Sequence, residues 1–441
     1  MKMSYFKVEE IKYEGRKSMN PFAFKEYNKE EVIAGKTMAE HLKFAMSYWH
    51  TFDAMGSDAF GGPTMFREWD ETENLIERSK VRVKAAFEFM EKMGLEYFCF
   101  HDVDVLPEFG TLSEYQAALT DIVDLIESEM KRTGIKLLWG TTNAFSNERF
   151  AHGAATSCNP EVFAYTAAKI KFAMDITNRL GGLGYVFWGG REGYETLLNT
   201  DMKRELDNLG TMLTIARDYK KEIGFEGELL IEPKPMEPTK HQYDYDAHTV
   251  IGFLRGHGLE NDYKLNLEVN HATLAGHTMH HEMVVARENG MLGSLDANYG
   301  DLMLGWDTDQ FPTNIYDAVL TMYEVLKNGG IPVGINFDAK VRRASFEDDD
   351  LFLSYIAGMD TFARGLRVAA NLLEDGVLED FKANRYVGYE ETDLGKKITS
   401  KNVTLTELND YIQNIDGQIS PLTSGRQEYL ESVLNQYIYN A

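Results

Sequence analysis

Glu232 and Lys234 stand two residues apart in "LLIEPKPMEP", at the end of an apolar run and between prolines. In extended chain, residues i and i+2 face the same side, and each proline holds the residue before it extended. A carboxylate and an ammonium group are therefore aimed one way, a pairing suited to a cation beside a polar substrate. Other apolar runs end alike. His101 and Asp104 close "EYFCFHDVD", Glu268 and His271 close "YKLNLEVNH", Asp296 closes "LGSLDAN" and Asp338 closes "VGINFDAK", with Asp307 and Asp309 following in "GWDTDQFP". Any one of these reads as a solvated strand end, but recurrence in five of eight runs weakens that reading. Two carboxylates about 4 Å apart repel by roughly 4 kcal/mol at an effective dielectric of about 20. One lysine cannot neutralise six carboxylates, so the pattern points to divalent cations. Carboxylate oxygens with a single imidazole favour Mg²⁺ or Mn²⁺, with Co²⁺ possible, over the Cys/His-rich sites of structural zinc. Six carboxylates can serve two such ions if one bridges.

The elements that must position these groups are legible as alternation. Eight short apolar runs, "FAMSYWHTF", "EYFCFHDVD", "IKLLWGTTN", "GYVFWGG", "ELLIEPKP", "YKLNLEVNH", "LGSLDAN" and "VGINFDAK", recur at intervals of roughly 30 to 50 residues, room for one strand and one helix each. Helical segments lie between them. "SKVRVKAAFEFMEKMG" has apolar residues at helical spacing and a terminal Gly94, and "TLSEYQAALTDIVDLIESEMKR" opens with Thr111 and Glu114 as a capping box. Eight β/α units predict a closed (β/α)8 TIM barrel, whose active site sits at the C-terminal ends of its strands, where the polar residues fall. The first unit is the least defined, since "KTMAEHLKFAMSYWH" also reads as wholly helical. The strand signal stops near residue 380. The predicted organisation is a barrel with an N-terminal extension over 1–380 and a C-terminal helical arm over 381–441.

Composition sets the class. The chain has 441 residues, 44% hydrophobic, enough for a large core. A formal net charge of -25 repels nucleic acid and suits metal cations and neutral substrates. Only Cys99 and Cys158 are present, as in a reducing compartment. With no signal-peptide pattern in "MKMSYFKVEEIKYEG" and no apolar run long enough to span a membrane, the expectation is a soluble cytoplasmic protein.

Taken together, "LLIEPKPMEP", "FCFHDVD", "GHTMHHE", "WGGREGYETLLNTD" and "GWDTDQFP" resemble xylose isomerases of the longer-chain class, from about "YEGRKSMNPFAFKEYN" to "SGRQEYL". The resemblance implies a (β/α)8 barrel with a C-terminal arm wrapping a neighbour in a homotetramer. It implies reversible aldose-ketose isomerisation of D-xylose to D-xylulose, and less well of D-glucose to D-fructose, by ring opening and a metal-assisted 1,2-hydride shift with two divalent cations (Mg²⁺, Mn²⁺ or Co²⁺). By motif, Glu232, Glu268, Asp296 and Asp338 match the ligands of a structural metal. Glu268, shared, with His271, Asp307 and Asp309 matches those of a catalytic one. His101 matches the ring-opening acid/base, with Asp104 fixing its tautomer, as physically expected of a histidine near a carboxylate. Lys234 matches the residue that hydrogen-bonds the oxygen on C1. Trp49, Phe145 and Trp188 match an aromatic wall, Thr141 a substrate contact, and Phe60 the aromatic supplied by a neighbouring subunit. Four features depart from the pattern: Phe109, Met279, Tyr299 and the apolar stretch Leu302 to Leu304. Every implied ligand is present, so these bear on rate, metal preference or pH range.

Several features have plainer readings. His277 and His281, four apart, would share a helix face as a zinc pair does, but read more simply as structural histidines beside a barrel strand. "GGLG" at 181 precedes its strand, whereas a dinucleotide fingerprint follows one, so it is a turn. "EDDD" at 347 is a solvated helix start, and Cys99 is packing inside a strand. The rival functions are another metal-dependent sugar isomerase or epimerase on the same barrel, or a catalytically silent binding protein. Binding alone would not require His101, Asp104 and Lys234.

Overall fold

Strands β1 to β8 are Phe44–Ser47, Tyr97–His101, Lys136–Thr141, Gly184–Trp188, Glu228–Glu232, Tyr263–Glu268, Leu292–Asp296 and Ile335–Phe337. In this computed structural model, which describes residues 4–415, 418–419 and 424–440, they pair in chain order, all parallel, into a closed barrel. Each lies within one of the eight apolar runs. Parallel strands are covered on both faces, and every residue of β1, β7 and β8 is buried. The first unit, readable as all helix, divides instead. Thr37 and Glu40 form a capping box for a single turn, Met38–His41, then β1 pairs with β2 and β8, and a π-helical turn over Trp49–Asp53 follows.

Register aligns the strand ends. His101 lies opposite Thr141, Trp188 opposite Glu232, Glu268 opposite Asp296, and Asp296 opposite Asn336. Helices α1 to α7, Leu75–Met93, Leu112–Thr133, Pro160–Arg179, Met202–Glu222, Ala247–Gly256, Met279–Glu288 and Ile315–Lys327, carry the returns between strands. Their ends follow capping chemistry. Thr111 and Glu114 form the expected box on α2, while α1 and α2 stop at Gly94 and Gly134, whose φ values of 71° and 81° a β-carbon would disfavour.

Below the mouth the barrel is filled. Ala45, Cys99, Leu138, Trp139, Val186, Leu230 and Val333 bury as one cluster. Leu230 fits against glycines: a β-carbon on Gly293 would come within 2.5 Å of its Cδ2 and one on Gly184 within 3.0 Å of its Cδ1. Leu138 fits against Gly334 in the same way, at 2.7 Å.

The chain divides into two compact units, Met1–Gly365 and Leu366–Ala441. The second is helical, with Val377–Glu391, Asp393–Thr399, Leu405–Ile415 and Gln427–Asn440 its complete elements. Several large apolar side chains on them are exposed, including Tyr386, Tyr389, Leu405 and Tyr439. No helix among the described residues is long and apolar enough to cross a membrane.

Candidate active site

The strand ends converge on a cavity of about 210 Å³. His101, Lys234, His271 and the carboxylates of Glu232, Glu268, Asp307, Asp309 and Asp338 line it, with Trp49, Phe145 and Trp188 as an aromatic wall. Asp296, at the end of β7, is not in the lining but is buried beside three of these carboxylates. Glu232, Glu268, Asp296 and Asp338 each offer a ligand atom within 4.8 Å of the others, and Glu268, Asp307 and Asp309 form a second such set. His271 joins both groups, with Nε2 3.2 Å from Glu268 Oε2 and 3.1 Å from Asp307 Oδ2, and Nδ1 3.6 Å from Glu232 Oε1.

The two sets differ electrostatically. Burial, then the charges of neighbouring acids, pushes the Glu232 and Glu268 carboxyls well above the carboxylate range and Asp296 up to about 8. Burial would also raise Asp338, but His50, 2.8 Å from its Oδ1, holds it below the usual value. His50 is raised to about 9, because Asp338 and Asp309 outweigh the burial that would lower it. Asp307 is likewise held well down against burial by His271 and by Lys234, whose Nζ lies 2.6 Å from its Oδ2. Clustered buried oxygens whose charge is suppressed are a donor set that hard divalent cations fit. His271 Nδ1 and Asp307 Oδ1, buried without a hydrogen-bond partner among the described residues, fit the same reading.

Beside this cluster sits an acid/base pair. His101 Nδ1 is 2.9 Å from Asp104 Oδ2, which also accepts the His101 backbone N–H at 2.7 Å. Burial would lower the imidazole's pKa, but Asp104 raises it. The ring lies edge-on to Trp49, centroids 4.7 Å apart, and Trp49 Nε1 donates to Asp338 Oδ1 at 3.0 Å. Phe145 and Trp188 meet edge-to-face at 4.5 Å, and Lys234 Nζ lies 5.4 Å from the Trp188 ring. Thr141 lines the cavity, but its hydroxyl donates to the Val186 carbonyl at 2.6 Å, so it offers a ligand only an acceptor. Phe60 is not in this cavity; its side chain is 91% exposed.

A xylose isomerase from Geobacillus thermodenitrificans is 57% identical to this chain over 438 residues, covering 99% of the chain and 98% of the relative. The chain belongs to the xylose isomerase family. A xylose isomerase from Caldicellulosiruptor bescii is 56% identical over 440 residues, covering 99% of this chain and all of that one. The XylA2 C-terminal domain model matches residues 382–438. A xylose isomerase-like crystal structure from Rhodospirillum rubrum shares the barrel, with a TM-score of 0.51 at 12% identity over 73% of this chain and 98% of that one.

Within this xylose isomerase family member, sequence reasoning passed over residues that hold the mouth together. His50 bridges Asp309 and Asp338 at 3.3 and 2.8 Å, hidden in the aromatic run "SYWHTF" until the π-helical turn brings it inward. Three asparagines stand two residues from a carboxylate already named. Asn266 Nδ2 donates to Glu232 and Asp296 at 3.0 and 2.6 Å, Asn298 Nδ2 to Glu268 at 2.6 Å, and Asn336 Nδ2 to Asp296 at 2.8 Å. The signal was the i, i+2 spacing of Asn266 with Glu268, Asp296 with Asn298, and Asn336 with Asp338. Asp102, next to His101, pairs with buried Lys169 at 3.0 Å and accepts from the Asn143 backbone at 2.7 Å, fixing the wall that carries Phe145. Of the departures, Phe109 packs edge-on to Tyr115, Met279 is buried, Tyr299 bridges to Gln310, and Leu302 to Leu304 are exposed.

Proposed function

We propose that the chain interconverts D-xylose and D-xylulose, and D-glucose and D-fructose less well, by ring opening and a 1,2-hydride shift. The observation that carries this reading is one cavity joining the His101–Asp104 pair, Lys234 and two overlapping carboxylate clusters. Glu232, Glu268, Asp296 and Asp338 would hold one divalent cation, and Glu268, His271, Asp307 and Asp309 a second, with Mg²⁺, Mn²⁺ or Co²⁺ suited to these donors. Bound there, such ions supply Lewis-acid polarisation of the sugar's C1 and C2 oxygens.

The chain's own residues do the rest. Asp104 fixes the proton on His101 Nδ1, leaving Nε2 to move a proton between the ring oxygen and the C1 oxygen as the sugar opens. Lys234 stays protonated, since Asp307 outweighs the burial that would lower it, and donates to the C1 oxygen of the open chain. The hydride passes from C2 to C1 as the C2 hydroxyl gives up its proton, which ends on the C1 oxygen, and Trp49, Phe145 and Trp188 exclude water from C1 and C2, favouring this direct transfer over an exchangeable enediol proton. Thr141 accepts from a sugar hydroxyl.

The exposed apolar residues of the C-terminal unit and the 91% exposure of Phe60 support a homotetramer in which Phe60 reaches a neighbour's cavity. Low cysteine content supports a cytoplasmic location. Incubation with D-xylose and Mg²⁺, followed by sugar chromatography, tests the reaction. Xylulose is the expected product, and a C3 or C4 epimer would replace the reading with an epimerase. The same reaction in D₂O gives little deuterium in the product if the shift is direct; extensive incorporation would rule it out.

A further inference from the structure

Four of the eleven histidines, His248, His277, His280 and His281, gather at the N-terminal ends of α5 and α6, and none of them lines the cavity at the barrel mouth. The expected shared helix face is not what joins them. His277 precedes α6, Thr278 caps it by accepting the His281 backbone N–H at 3.2 Å, and His281 lies in the first turn. The cap nevertheless stacks the two rings, 4.4 Å between centroids and 25° from parallel. A third donor faces them. His277, His281 and Glu282 each offer a ligand atom within 4.8 Å of the others.

Glu282 decides what this cluster is. Its side chain is 4% exposed; Oε2 accepts the Ala247 backbone N–H at 2.8 Å, but Oε1 is buried with no hydrogen-bond partner among the described residues. That atom lies 3.9 Å from His281 Nε2, too far for a hydrogen bond and within the reach of a shared ion. Buried polar atoms are satisfied in folded proteins, so an orphaned carboxylate oxygen facing two imidazoles asks for a positive partner. His277 Nε2 meets Asp246 Oδ2 at 3.1 Å. A carboxylate that orients one ring nitrogen leaves the other to ligate, as at histidine metal sites generally. His280 is otherwise engaged, with Nε2 3.2 Å from Glu324 Oε1.

We infer that His277, His281 and Glu282 form a separate zinc-class metal site at the start of α6, with Glu282 and His277 held in place by the Ala247 N–H and Asp246 at the start of α5. Two imidazoles and one carboxylate are a three-ligand zinc set with a fourth position for water, and they favour Zn²⁺ over the Mg²⁺ class suited to the mouth. The side chains of His277 and His281 are 29% and 43% exposed, which gives an ion a route in. Bonds of about 2 Å place tetrahedral ligands roughly 3.4 Å apart, so modest side-chain adjustment closes the set.

The test uses the full chain in Mg²⁺ with added Zn²⁺. Anomalous diffraction on either side of the zinc edge should place a peak among His277, His281 and Glu282, separate from any peak at the mouth. After equilibrium dialysis, His281→Ala and His277→Ala should each bind one zinc fewer per chain than the unaltered protein, with Mg²⁺-supported isomerase activity unchanged. Peaks confined to the mouth, or equal zinc counts in all three proteins, overturn the inference. Circular dichroism of both variants separates lost binding from lost folding, and a folded variant that keeps the full zinc count also overturns it.

Discussion

The two carboxylate clusters of the mouth share Glu268 but are built on different principles. Glu232, Glu268 and Asp296 end strands of a closed barrel and Asp338 follows the last, with spacing set by strand register and by asparagine amides from the same strands. Asp307 and Asp309 come from a loop, with Asp309 at φ 44°, a backbone region few side chains accept. The counter-charge differs too. The strand set meets His50 at Asp338 and His271 at Glu232 and Glu268 and is otherwise tied by neutral amides, whereas the loop set adds two lysines, Lys234 and Lys340, to the same two histidines. A rigid set with no lysine paired to it depends more on its ion; a loop set that carries two lysines can rearrange around one. This supports the assignment of structural and catalytic roles to the two.

Removing the loop set's principal cation should have the largest effect. Lys234→Ala takes away the proposed donor to the C1 oxygen and leaves Asp307 with His271 alone, so kcat should fall by about 10³-fold, while a variant within tenfold of normal would remove Lys234 from the mechanism. Metal-dependent stability separates the clusters next. An ion at a hundred times its Kd adds about 2.7 kcal/mol. In thermal scans with EDTA against excess Mn²⁺, Asp296→Asn should lose most of the shift and Asp309→Asn should keep most of it. Equal losses would erase the distinction.

Asp244 shows what burial does to an acid whose side chain meets an amide, that of Gln242. It is raised to about 7, chiefly by burial, and the Lys234 N–H donates to its backbone carbonyl. An acid raised in the folded state binds more protons there than in the unfolded chain. Its stabilising effect is therefore full below the unfolded value of 3.8 and is lost as pH rises through 7. Between pH 5 and 7 this costs about 2 kcal/mol, and Asp244→Asn should flatten urea-unfolding stability by that amount over the same range. The smallest effect concerns the amides. Asn336→Ala removes one donor to Asp296 and should cost about 1–2 kcal/mol in urea unfolding, with Mn²⁺ binding weakened. No change in either would mean that the amides do not set the strand cluster's spacing.

Much of this was legible before any coordinates. Strands were readable because parallel barrel strands are nearly continuous apolar runs, and Glu232, Glu268 and Asp296 stood out as charges where such runs stop. The exception, the first unit, was ambiguous because "KTMAEHLKFAMSYWH" satisfies both periods; its pairing with β2 and β8 is long-range information. His50 was illegible for the same reason, since a π-helical turn leaves no pattern in an aromatic run. Asn266, Asn298 and Asn336 were overlooked because uncharged amides look unremarkable until the carboxylates they touch come from other strands. The orphaned oxygen of Glu282 is a property of packing and has no sequence signature at all.

The leucines seated against glycines beneath the mouth have a kinetic consequence. Leu138 and Leu230 are wholly buried, and with their neighbours they stopper the barrel from below. Among the described residues the well is thus closed toward the barrel interior, and a ketose leaving through the mouth meets the next aldose there. Traffic is single-file, so accumulated product should compete with incoming sugar for entry, raising apparent KM and leaving kcat untouched.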